Sequence, residues 1–150
     1  RNPALEIHPV DFTNSPALAG QNDNLISINA TLQVDFLGQC GSESFGHMPY
    51  SGTGGQADFV RAANISRGGK AFIVLPSTAK NGTISRIVPM LSTGTHVSTS
   101  KNAVNYVVTE FGVAQLRGKS AWQRARALIG IAHPDFRAEL TDHAKRMGLL

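Results

Sequence analysis

Apolar and polar residues alternate over Leu5-Glu6-Ile7-His8-Pro9-Val10-Asp11-Phe12, a period of two that predicts a strand, with Pro9 marking an edge or a bulge. Thr13-Asn14-Ser15-Pro16 then combines capping residues with a proline suited to a first helical position, predicting one short helical turn over 17–20. Residues 25–30 and 32–37 are rich in branched side chains and predict strand segments ending at Gly38. Between 38 and 55 the chain is glycine-rich, polar and aperiodic, which predicts a long loop, and long loops in compact domains are usually functional. From there Phe59, Val60, Ala62, Ala63 and Ile65 fall close to helical spacing, with Gly68-Gly69 as the stop. Lys70-Ala71-Phe72-Ile73-Val74-Leu75 predicts a buried strand halted by Pro76, and 83–88, 96–99 and 106–109 predict three more. Ser120 caps a helix running through Ala132, and Pro134-Asp135 opens another that carries Phe136, Leu140, Ala144 and Met147 on one face. Strands, one inserted helix, more strands and two final helices define an α/β layered domain.

With 150 residues, the chain has the size of one domain. Its 41% apolar and 16% charged residues exclude a disordered or fibrous class, and no uninterrupted apolar run is long enough to span a membrane. The start at Arg1-Asn2-Pro3 shows neither Met nor an apolar leader, and reads as cut from a longer chain. A lone cysteine, Cys40, rules out an internal disulfide framework and fits a reducing compartment, with the cytoplasm as the default.

Charge is unevenly spread. Residues 1–60 carry one base and six acids, net −5, whereas 61–150 carry thirteen bases and four acids, net +9. The second half would attract an anion. Its bases are dispersed and not interleaved with aromatics, so a nucleic acid is not expected, and a phosphorylated small molecule fits better. The five histidines show no paired ligand spacing, so no metal is expected. Arg124, Arg126, Arg137, Lys145 and Arg146 are assigned to solvated faces of the last two helices, and His133 to a loop or cap.

The most informative stretch is Ser51-Gly52-Thr53-Gly54-Gly55-Gln56-Ala57-Asp58-Phe59, three glycines in four positions directly before a helix. Glycine there permits positive φ and lets a ligand reach main-chain N–H groups, and a helix start adds unpaired donors. Such a turn suits an anion or a developing oxyanion, though a purely structural turn has the same composition. The fragment also fits G-x-G-x-x-A, but no hydrophobic strand precedes it and no acid follows the next strand, so a dinucleotide fold is excluded. A phosphate-binding P-loop fails because Gly69-Lys70 is followed by Ala71. Ser42-Glu43-Ser44-Phe45-Gly46 lacks the first glycine of a nucleophile elbow.

Gly52-Thr53-Gly54-Gly55-Gln56-Ala57-Asp58-Phe59, Leu75-Pro76-Ser77-Thr78-Ala79-Lys80, Ser85-Arg86-Ile87-Val88-Pro89, Tyr106-Val107-Val108-Thr109-Glu110-Phe111-Gly112, Leu116-Arg117-Gly118-Lys119 and Ile131-Ala132-His133-Pro134-Asp135-Phe136-Arg137 follow one another along the chain. Together they resemble the acetyl-CoA hydrolase/transferase family of class I CoA-transferases, in particular its 4-hydroxybutyrate CoA-transferases, over nearly the whole length. The resemblance implies the C-terminal portion of such an enzyme, with an open mixed-sheet α/β domain and flanking helices. It implies that the amide of Gly54 helps form an oxyanion hole in the loop of Gly52, Gly55 and Gln56, and that Asn14, Lys80 and Glu110 lie near the acyl group or coenzyme A. Each has a plainer alternative: Asn14 as a cap, Lys80 as a solvated loop charge, Glu110 as the partner of a nearby arginine.

The implied reaction has no tightly bound cofactor, and uses acyl-CoA and a small carboxylate as substrates. A glutamate carboxylate attacks the thioester carbonyl to give an anhydride, the CoA thiolate returns to form a glutamyl-CoA thioester, and a second acid or water completes the cycle. In the family that glutamate lies upstream, in a Thr-Glu or Ser-Glu motif followed by Asp-Gly, and no Asp-Gly occurs here. Glu6 lacks the context, Glu43 stands in the wrong order relative to Asn14, and Glu110 matches another position. The expected partner is therefore the N-terminal part of the same enzyme, with a homodimer compatible. A non-catalytic CoA- or anion-binding module, or an assembly module, is the alternative.

Overall fold

In the computed structural model, which describes residues 2–150, two short helices come first, α1 (Val10–Thr13) and α2 (Pro16–Ala19). Five strands follow: β1 (Ile26–Ala30), β2 (Gln33–Asp35), β3 (Cys40–Gly41), β4 (Ser44–Phe45) and β5 (Met48–Pro49). The helix α3 (Gln56–Ile65) leads into β6 (Lys70–Val74), β7 (Thr78–Ala79), β8 (Ile84–Ser85), β9 (Ile87–Val88), β10 (Tyr106–Thr109) and β11 (Gly112–Gln115). Two helices, α4 (Ala121–Gly130) and α5 (Pro134–Arg146), end the chain. Arg1 lies outside the described residues.

The branched apolar runs make the main sheet, in the order β1-β6-β10-β11. The first three strands are parallel, and β11 returns antiparallel to β10. One face of this sheet carries Ala71, Ile73, Val107 and Ala114, all buried in the core shared with α3, α4 and α5. A second, smaller sheet has the order β3-β2-β9, and two hairpins, β4-β5 and β7-β8, stand beside it. This is the α/β layered domain that the element order implied, with the mixed sheet and flanking helices that the family resemblance implied.

Several local expectations are corrected. Residues 5–9 form no regular structure and α1 replaces the end of the expected strand; Leu5, Ile7, Val10 and Phe12 are 69, 92, 69 and 50% exposed. Alternation marks a side fit for burial, but this segment pairs with no described strand. Residues 96–99 make one isolated bridge, Cys40 to Thr99. The amide of His96 donates to Ser44 Oγ at 2.8 Å and that of Ser98 to the Cys40 carbonyl at 2.9 Å, so this backbone is satisfied as a loop. The 83–88 run breaks at Arg86, whose amide donates to the Ser77 carbonyl at 2.8 Å, and its two halves enter different sheets.

Two arginines assigned to solvent are instead structural. Arg124 donates to the carbonyls of Leu37, Lys101 and Lys119 at 3.0, 2.8 and 3.2 Å, and its burial pulls its pKa down. Arg137 donates to the Ala132 carbonyl at 2.9 Å and lies 5.6 Å from the centre of the Phe111 ring. His133 is the N-cap of α5, its Nδ1 accepting from the Asp135 amide at 3.4 Å.

Candidate active site

The glycine turn sits where the hairpin β4-β5 hands the chain to α3. Tyr50 and Ser51 donate their amides to the Glu43 carbonyl at 2.7 and 3.1 Å, and Thr53 Oγ1 donates to Glu43 Oε2 at 3.2 Å. Glu43 thus clamps the front of the loop, a role its sequence context did not signal. Beyond it, the amides of Gly52, Thr53, Gly54 and Gly55 donate to no described protein atom. A β-carbon placed on Gly52 or Gly54 would meet nothing within 4 Å. None of the three glycines adopts positive φ, which corrects that part of the expectation; the other part, an unshielded backbone, fits the open space at Gly52 and Gly54.

Asn14, in the link between α1 and α2, packs directly on this loop. A β-carbon on Gly55 would come within 2.7 Å of Asn14 Nδ2 and 3.0 Å of the Phe59 ring. The following residue, Gln56, donates from Nε2 to Thr99 Oγ1 at 3.1 Å, tying the start of α3 to the 96–99 loop. Asn14, Gly55 and Gln56 therefore belong to one assembly.

Lys80 occupies the tip of the β7-β8 hairpin with φ of 48°, exposed, and makes no ion pair among the described residues. It lines a 290 Å³ pocket with Leu32, Phe45, Tyr50, Ile84 and Arg86, whose walls are largely apolar. The buried Nε of Arg86 finds no acceptor among the described residues. Tyr50 joins this pocket to the loop that carries the glycines.

Among the described residues Glu110 pairs with no arginine or lysine. It sits in the β10-β11 turn, where Oε1 accepts from Ser77 Oγ at 2.5 Å and Oε2 from the Ser77 amide at 2.9 Å. Slight burial opposes its ionisation. The Ser77 hydroxyl, its own amide and the Ser77 amide outweigh that, with help from His133, and hold the carboxyl below the usual glutamate range. Ser77 is fully buried and lies three residues before Lys80, so Glu110 anchors the base of the hairpin bearing that lysine. Glu110 also lines a shallow groove with Ala30, Val74, Leu75, Pro76, Val108 and Thr109, at the carboxyl ends of the parallel strands. A larger cleft of 680 Å³, beside Trp122 and Lys145, includes none of the expected site residues.

Against known proteins, the profile of the acetyl-CoA hydrolase/transferase C-terminal domain matches residues 1–144. The succinyl-CoA:cyclohexane-1-carboxylate CoA transferase of Geobacter metallireducens is 70% identical over 97% of this chain and 33% of its own length. The 4-hydroxybutyrate coenzyme A transferase of Clostridium kluyveri is 55% identical over 97% of this chain and 34% of its own. The crystal structure of RipA from Yersinia pestis superposes with a TM-score of 0.91 at 50% identity, covering 99% of this chain and 33% of that one. The chain belongs to the acetyl-CoA hydrolase/transferase family and corresponds to its C-terminal domain. It spans about a third of the length of the curated relatives it matches.

Proposed function

We propose that residues 1–150 supply the oxyanion-binding and substrate-contacting part of an enzyme that moves coenzyme A between carboxylates or hydrolyses acyl-CoA. The observation that carries this reading is the run of four unbonded amides, Gly52 to Gly55, opening the ten-residue helix α3 with no side chain in front of Gly52 or Gly54. Amides fixed in this way stabilise charge on a carbonyl oxygen as it becomes tetrahedral, which both transfer and hydrolysis require. Gly54 is assigned the principal donor, with Gly52 and Gly55 exposing the backbone and Gln56 fixing the helix start against Thr99. Asn14, lying over Gly55, orients a substrate carboxylate or carbonyl. Lys80, at the mouth of an apolar pocket, neutralises an anionic part of the substrate, and Glu110 is a positioning residue that holds the Ser77 loop. The site asks for no resident cofactor, since coenzyme A enters and leaves as substrate.

The attacking carboxylate is assigned to the preceding part of the polypeptide, and the working compartment to the cytoplasm. Among the described residues no helix is long and apolar enough to cross a membrane. A non-catalytic module would also present free amides, but the enzymatic names of the relatives favour catalysis. In the complete enzyme, Gly54→Val should lower kcat/KM by about 10²–10³-fold. Its thermal stability should shift by no more than about 0.5 kcal/mol, because the new side chain enters open space. Unchanged kinetics, or equal losses of activity and stability, would overturn the assignment.

A further inference from the structure

The main sheet is covered on one side only. Its outer face presents Ile26, Ile28 and Ala30 from β1, Phe72 and Val74 from β6, Tyr106 and Val108 from β10, and Val113 from β11, with Lys70 and Gln115 as its polar members at the end of the face away from Glu110. Ile26, Ile28 and Val113 are 50, 66 and 59% exposed. Phe72 and Tyr106 are half-buried cross-strand neighbours whose rings stack on one another at 5.1 Å on this face. The edge of β1 is equally bare: Ile-Ser-Ile-Asn-Ala contains no charge, proline or bulge to discourage a further strand.

Physics makes such a face unstable as a solvent boundary. All-parallel sheets occur almost only with both faces covered, three of the four strands here are parallel to one another, and an exposed, largely apolar face of this kind marks a docking site. Helices α3, α4 and α5 fill one side, so a whole layer of a three-layer arrangement is unaccounted for.

We infer that this face is the seat of an apolar layer, helical in character, supplied by the part of the same polypeptide that precedes residue 1. Two observations select that occupant. Curated relatives are about three times as long as the stretch they share with this chain, which leaves ample polypeptide to form the layer. The matching profile is that of a C-terminal domain, which places most of that polypeptide upstream. The exposed apolar residues Leu5, Ile7, Val10 and Phe12 extend the same logic to the connecting segment, which is bare for want of the surface it packs on. The groove at Ala30, Val74 and Val108 continues the face to Glu110, so the docked layer also walls the carboxyl ends of the parallel strands. This inference stands on the open sheet and is independent of the acyl-CoA reading.

The test uses the complete polypeptide. A cysteine introduced as Ile28→Cys or Val113→Cys should react with a thiol reagent at least about tenfold more slowly than an exposed control, Met48→Cys, with rates unchanged on dilution. Cys40 gives no background, being fully buried with its pKa pushed up. A photo-cross-linking residue at Ile28 should join this face to peptides upstream of residue 1, within one isotopically labelled chain. Labelling as fast as the control would overturn the inference. Cross-links between differently labelled chains, or protection lost on dissociation, would overturn it in favour of a second copy.

Discussion

Gly52, Gly54 and Gly55 fall within four positions and yet face different constraints. At Gly52 and Gly54 a β-carbon has room, whereas at Gly55 it would be 2.7 Å from Asn14 Nδ2. Gly52→Ala should therefore change folding stability by less than about 0.5 kcal/mol. Gly55→Ala should cost about 1–3 kcal/mol and displace the Asn14 side chain. Thermal melts of the two variants, with a crystal structure of the second, would check this; identical melts would mean that Asn14 does not press on the loop. The glycine cluster was legible because it interrupts composition and precedes a helical period. The partners that hold it were not. Glu43 clamps Thr53 and Tyr50, and Ser77 donates to Glu110, through pairings seven to thirty-three positions apart that leave no periodic trace.

Glu110 shows how one side chain joins elements. Its carboxylate sits in the turn after β10 and grips Ser77 just past the end of β6, so it fixes the spacing of two loops at the carboxyl edge of the sheet. Its folded pKa lies below the ordinary glutamate value of about 4.3, so folding favours the ionised form. The resulting stability is present above that ordinary value and is lost as pH falls through the folded one. Glu110→Gln should accordingly flatten the fall in melting temperature below about pH 4.5, while kcat falls more than KM rises if the Ser77 loop is what the carboxylate positions. An acid limb identical to that of the parent would refute the staple. Among the elements, β1, β6 and β10 were readable because they are rich in branched and aromatic side chains, which suit a pleated sheet. By contrast β11, Gly-Val-Ala-Gln, is too short and too weakly patterned to stand out, and becomes a strand because it pairs with β10. The 5–12 alternation predicts a strand that does not form, because period reports a face without reporting a partner.

At the scale of the whole molecule, the question is what keeps the small sheet registered against the helical layer. Arg124 is the principal polar link. From α4 its guanidinium reaches the turn between β2 and β3 at Leu37 and the loop before β10 at Lys101, and also bonds Lys119 at the foot of its own helix. A hydrogen bond from a charged donor is worth about 1.5–3 kcal/mol, which applies best to the partly buried carbonyl of Leu37, whereas water can replace the donor at the exposed carbonyls of Lys101 and Lys119. The loss at several carbonyls sharing one donor will not add. Arg124→Met keeps much of the side-chain volume and removes all three bonds at once. Hydrogen exchange should then accelerate by about tenfold or more in the 37–40 turn and the 100–104 loop. The α4 interior, held by the buried Ala125, Leu128 and Ile129 and started by Ser120 and Gln123, should keep its protection. Faster exchange confined to α4 would mean that Arg124 stabilises only its own helix, and the coupling between the two sheets would have to lie in the apolar core at Val34, Phe36 and Leu116.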